Sequence, residues 1–124
     1  MSRYILVLLL SLSSLFAVEF YSYEDALKLQ KKSNKIIMID VVRSGCQYCE
    51  DMDREVFQNE AMSKWLDERF ISVKLNLDND KLPLDLQVHF TPTFFFVDTN
   101  GKIVKKIPGS WNIQDFKDLT KGIK

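Results

Sequence analysis

The run IIMIDVV, Ile36 to Val42, constrains this chain more than any other stretch. Its apolar residues are contiguous rather than alternating, and most are β-branched, which predicts a strand buried on both faces. Asp40 is its one charged member. A carboxylate in such a strand is costly to desolvate and has its pKa raised, so it needs a reason to be there. Close behind stand the chain's two cysteines, Cys46 and Cys49, separated by Gln47 and Tyr48. From Cys46 onward Cys49, Met52 and Val56 recur on one helical face, which places the CxxC where a strand hands over to a helix.

The remaining pattern supplies the partners for that strand. Ser22 caps a helix carrying Tyr23, Ala26, Leu27 and Gln30, expected as the first element after the leader, and Asn59 caps a stretch with Met62, Trp65, Leu66 and Phe70. Ile71, Val73, Leu75 and Leu77 alternate with Ser72, Lys74 and Asn76, a second strand. Leu82 to Phe90 holds a short helix at most, started by Pro83. Thr93 to Val97 reads as a buried strand, Asn100-Gly101 as a hairpin turn, Lys102 to Ile107 as the returning strand, and Asn112 as the cap of a last helix. A βαβ unit joined to a ββα unit gives an α/β fold, a central mixed β-sheet flanked by helices on both faces.

Residues 1–17 read differently. Arg3, the apolar run Ile5 to Leu12 and the small residues Ser13, Ser14 and Ala17 form a secretory signal peptide, leaving 18–124 as one domain. The apolar run is short of the about 20 residues a membrane span needs, and an uncleaved anchor is the alternative. Export to a periplasm would put the cysteines in an oxidising compartment. Lys plus Arg and Asp plus Glu balance at 17 each, so no basic field invites nucleic acid.

A metal centre fails on ligand count. Zinc and iron–sulfur sites want four ligands, and the chain offers two thiols and one imidazole, His89, with no His after Cys49 for haem. No metal and no cofactor are expected. A structural staple closes too small a loop to gain much loop-closure entropy. A thiol at a helix N-terminus, by contrast, faces free N–H groups that stabilise thiolate, the form that attacks disulfides. Cys46 is then the nucleophile and Cys49 the resolving thiol, with Asp40 exchanging a proton with Cys49.

On these residues the chain, from about Phe20 onward, resembles the thioredoxin family. Asp40 stands before Cys46 at the spacing of that family's buried acid, Lys74 to Asp78 (KLNLD) resembles its third core strand, and Thr91-Pro92-Thr93 its cis-proline loop. The resemblance implies that Pro92 is cis against the disulfide, that the Thr91 backbone pairs with substrate peptide, and that Lys74 lies beside Asp40. From the residues alone Lys74 is equally a solvated strand residue, and Tyr48 either a substrate contact or an inert surface ring. Gln47 shares its position between the cysteines.

The chain departs from the family in having Gly45 before the first cysteine and Gln47-Tyr48 between the pair. No His neighbours Cys49 as in strong oxidants, which favours a reductant or isomerase. Thr91 and the segments after the CxxC look more like exported thioredoxin-related proteins of the SoxW type than like cytosolic thioredoxin. The implied partners are protein disulfide substrates and a membrane-embedded thiol donor, with the chain a monomer. Oxidation of newly exported proteins, or a peptide-binding module with idle cysteines, are the competing readings.

Overall fold

The computed structural model describes residues 17–124, so the expected signal peptide over 1–17 lies, Ala17 apart, outside the described residues. The elements run β1 (Phe20–Tyr21), α1 (Tyr23–Ser33), β2 (Ile36–Val42), α2 (Gln47–Met52), a π-helical turn (Asp53–Phe57), α3 (Glu60–Arg69), β3 (Phe70–Asn76), β4 (Thr93–Val97), β5 (Ile103–Pro108) and α4 (Ile113–Thr120). The sheet order is β1-β3-β2-β4-β5. β1, β3 and β2 are parallel, while β4 runs antiparallel to β2 and β5 antiparallel to β4. The mixed sheet with helices on both faces is the one the residue pattern predicts.

Alternation along the central strands sorts side chains between two cores. Ile37, Ile39, Val41, Ile71, Val73, Phe95 and Val97 turn toward α1 and its Ala26. Ile36, Met38, Phe70, Phe94 and Phe96 turn the other way, onto Met52, Phe57, Leu66 and Phe116 from the opposite layer. Phe57, Phe94 and Phe116 meet edge to face with centroids 4.9 to 6.0 Å apart, contacts worth about 0.5–1.5 kcal/mol each beyond their burial. By the same alternation Asp40, Ser72 and Lys74 point to this second layer, the side that carries the cysteines.

Side-chain caps start the long helices where the residues predict: Ser22 accepts from the Asp25 N–H, Asn59 from Met62 and Asn112 from Asp115. Three expectations change. The first element is β1, two residues paired to β3, not the Ser22 helix. The helix read from Cys46 through Val56 breaks into α2 and a π-helical turn, closed by an i→i+5 bond from the Gln58 N–H to the Asp53 carbonyl at 2.9 Å. The extra residue advances the helical phase, so that Val56 and Phe57 both bury. The helix allowed over Leu82 to Phe90 does not form, because Leu84 and Asp85 have φ of 58° and 53°, outside the right-handed helical region. That segment instead buries Leu86 against the α1-side core.

Candidate active site

Gly45 leaves the loop after β2 with φ of 70°, a left-handed conformation glycine takes without steric cost. The turn it makes sets Cys46 as the N-cap of α2, in extended backbone at φ −87° and ψ 105°. Cys46 Sγ accepts a hydrogen bond from the Cys49 N–H at 3.2 Å and another from Thr91 Oγ1, also at 3.2 Å. Cys46 is half-buried, Cys49 is buried, and the two form a disulfide with Cα atoms 5.3 Å apart. On reduction the same two donors face a thiolate, and hydrogen bonds to a charged group are worth about 1.5–3 kcal/mol against about 1 for neutral pairs. The pair is therefore asymmetric: one sulfur presented and stabilised as an anion, the other held beneath it.

The Thr91–Pro92 peptide is cis, and Pro92 is buried. The Thr91 carbonyl lies 3.6 Å from Cys46 Sγ, and proline, lacking an N–H, adds no competing donor to this wall. Gly109, at φ 93°, ties the loop after β5 to the same wall through its N–H to the Pro92 carbonyl at 2.8 Å. Two residues on, the Trp111 N–H reaches Met52 Sδ at 3.4 Å, joining that loop to α2. Tyr48, Phe90, Thr91, Gly109 and Ser110 line a hollow of about 210 Å³ beside Cys46.

Asp40 is 1% exposed, and among the described residues its Oδ1 has no hydrogen-bond partner. Burial pushes its carboxyl up to about 7, Lys74 draws it down in part and Asp53 adds to the rise. A carboxyl poised near neutrality suits proton exchange with a thiol. Lys74 sits opposite Asp40 in the β2–β3 register, yet its Nζ pairs with Asp53 Oδ1 at 2.6 Å and lies 4.4 Å over the Phe20 ring.

The hydroxyl on Cys46 gives an expected result. Thr91→Val keeps shape and removes one donor, so alkylation of the reduced protein by iodoacetamide at pH 7 should slow by up to about tenfold, the size of a charged hydrogen bond on a half-buried group. An unchanged rate would mean that the hydroxyl does not support the anion.

A CxxC at a helix start, a cis proline beside it and a buried acid in the central strand now stand together on one five-stranded mixed sheet. The thioredoxin-like domain profile matches residues 23–124. The chain belongs to the thioredoxin-like domain family. Among solved structures, this thioredoxin-like domain superposes on a thioredoxin from Thermus thermophilus with a TM-score of 0.75 and 26% identity, covering 86% of this chain and 87% of that one. The C-terminal domain of Neisseria meningitidis DsbD in its oxidised form gives 0.66 at 18% identity, over 86% and 100% of the two chains, a likeness of fold. Spermatogenesis-associated protein 20 of Homo sapiens is 36% identical over 75 residues, 60% of this chain and 9% of that protein. The chain spans about a tenth of the length of the first curated relatives it matches.

The structure brings Cys46, Cys49, Thr91 and Pro92 of the thioredoxin-like domain into one cluster, with Tyr48 at its rim, 67% exposed. Gln47 is also exposed, but its amide donates to Asp51 Oδ1 on its own helix at 2.9 Å. Asp40 and Lys74 lie on the cysteine side of the sheet. Sequence reasoning missed Phe90, Gly109 and Asp53. Pro108-Gly109 at a strand end was a signal for the second. Phe90 was legible only as one more apolar residue, although it is 55% exposed.

Proposed function

We propose that this chain is an exported thiol–disulfide oxidoreductase of the SoxW type, reducing or isomerising disulfides of exported proteins as a periplasmic monomer. The observation that carries the reading is Cys46 Sγ, half-buried at the head of α2, receiving hydrogen bonds from both Thr91 Oγ1 and the Cys49 N–H.

The chemistry balances with the residues present. The Cys46 thiolate attacks one sulfur of a substrate disulfide, forming a mixed disulfide and expelling the other substrate sulfur as thiolate, which takes a proton from solvent. Cys49 gives its proton to the Asp40 carboxylate and attacks Cys46 Sγ. The second substrate sulfur leaves, and the Cys46–Cys49 disulfide remains. Two electrons pass to the substrate, and a membrane-embedded dithiol donor restores the pair. The hollow lined by Tyr48, Phe90 and Thr91 accepts the extended substrate segment next to its cysteine. The reducing direction rests on the lack of a His beside Cys49. A reduction potential near −270 mV fits it, whereas one near −120 mV would make the chain an oxidant of new disulfides.

Cys49→Ser tests the order of attack. With the resolving thiol gone, a model protein disulfide should remain bound to Cys46 as a mixed disulfide, stable on non-reducing gels and released by dithiothreitol. Failure to form that adduct while Cys46 still alkylates would sink the reading.

A further inference from the structure

The charged groups behind the cysteines are not arranged as a simple acid and counter-ion. Lys74 is the base nearest in register to the buried Asp40, but among the described residues no ion pair joins them. Its ammonium is taken by Asp53, with both side chains about 30% exposed at the rim of the sheet. Asp53 opens the π-helical turn that follows α2, so the same backbone irregularity that buries Val56 and Phe57 also sets where this carboxylate stands. The Phe20 ring under Lys74 Nζ closes the other side. Among the described residues Asp40 Oδ1 is left without a hydrogen-bond partner.

We propose that Asp53 is a positioning residue for the proton carrier: by clasping Lys74 it keeps that ammonium at the sheet rim and off Asp40, leaving Asp40 free to take the Cys49 proton and return it. The proposal rests on the thiol–disulfide reading above for its use, though not for its geometry. Beside Asp40, β3 brings Lys74 and β4 brings Phe94 in register, the π turn brings the charge of Asp53, and α2, on the same side of the sheet, buries Cys49. An ammonium released from Asp53 and drawn toward Asp40 would hold that carboxyl ionised through neutrality. The acceptor in the resolving step would then be too weak a base to draw the proton from Cys49. In the intact arrangement, burial and the Asp53 charge together keep the Asp40 carboxyl high, while the clasp limits how far Lys74 draws it down.

The test follows the Asp40 side-chain carboxyl by carbon NMR against pH in the oxidised, full-length protein. Asp53→Asn should lower the midpoint by on the order of one pH unit, because a like charge is lost and Lys74 is released. Asp53→Glu keeps the clasp and should leave the midpoint near that of the parent. In a Lys74→Met background Asp53→Asn should move it by less than half as much, since only the direct charge effect remains. No shift, or an equal shift in both backgrounds, overturns the proposal. Should Asp53→Asn not fold, Asp53→Ser drops the same charge and is read the same way. Turnover of a model protein disulfide by the parent is measured beside it: an inactive parent would sink the redox reading, whereas the NMR midpoints alone decide the role of Asp53.

Discussion

Cys46→Ser is expected to bring turnover of a protein disulfide down to the uncatalysed level, since serine at neutral pH offers no comparable nucleophile. The variant also loses the disulfide, but that ring is closed across a sequence separation of 3, for which chain entropy accounts for only about 2 kcal/mol. It should therefore remain folded, with a far-ultraviolet spectrum like that of the parent. Cys49→Ser loses the same crosslink and still attacks, so the two variants separate loss of chemistry from loss of stability. Reduction by Cys46→Ser at the parent's rate would leave a peptide-binding module as the better account of the fold.

Asp40→Asn should stabilise the protein at alkaline pH, by as much as about 4 kcal/mol, while impairing the resolving step. The sign follows from burial. Burial lifts the Asp40 carboxyl from 3.8 to about 7, so between those values the unfolded chain releases a proton that the native state retains. Stability of the parent thus falls as pH rises through that window and stays reduced above it. Asparagine carries no charge to bury. The gain should be full near pH 8 and vanish near pH 4, as read from urea unfolding midpoints of the oxidised proteins at both values. A difference between parent and variant that does not change with pH would show that Asp40 is solvated or paired more fully than its position indicates.

The parts of the fold legible in the sequence were those whose cause is local. Contiguous β-branched residues gave β2, alternation gave β3, and capping side chains at Ser22, Asn59 and Asn112 gave three helix starts. β1 was not legible, because two residues have no periodicity and become a strand only by pairing with Ser72 and Val73. The π turn was hidden for a related reason. The spacing of Cys49, Met52 and Val56 fits an ordinary helix, and Phe57 breaks the phase only when its burial is known. Of the site, the two cysteines and the Thr91-Pro92 pair were visible as motifs. Asp53 was not, since an acid on an amphipathic helix reads as solvated until β3 is folded against it and Lys74 comes within 2.6 Å.

The parallel pairing of β1 with β3, and of β3 with β2, gives the molecule two poles. Ala17 and Val18 precede β1 and lie at the pole where these strands begin, with the Val18 N–H fixed to the Phe57 carbonyl at 2.9 Å. Cys46 follows the far end of β2, at the opposite pole. The chain ahead of Ala17 therefore joins the domain at the pole away from Cys46.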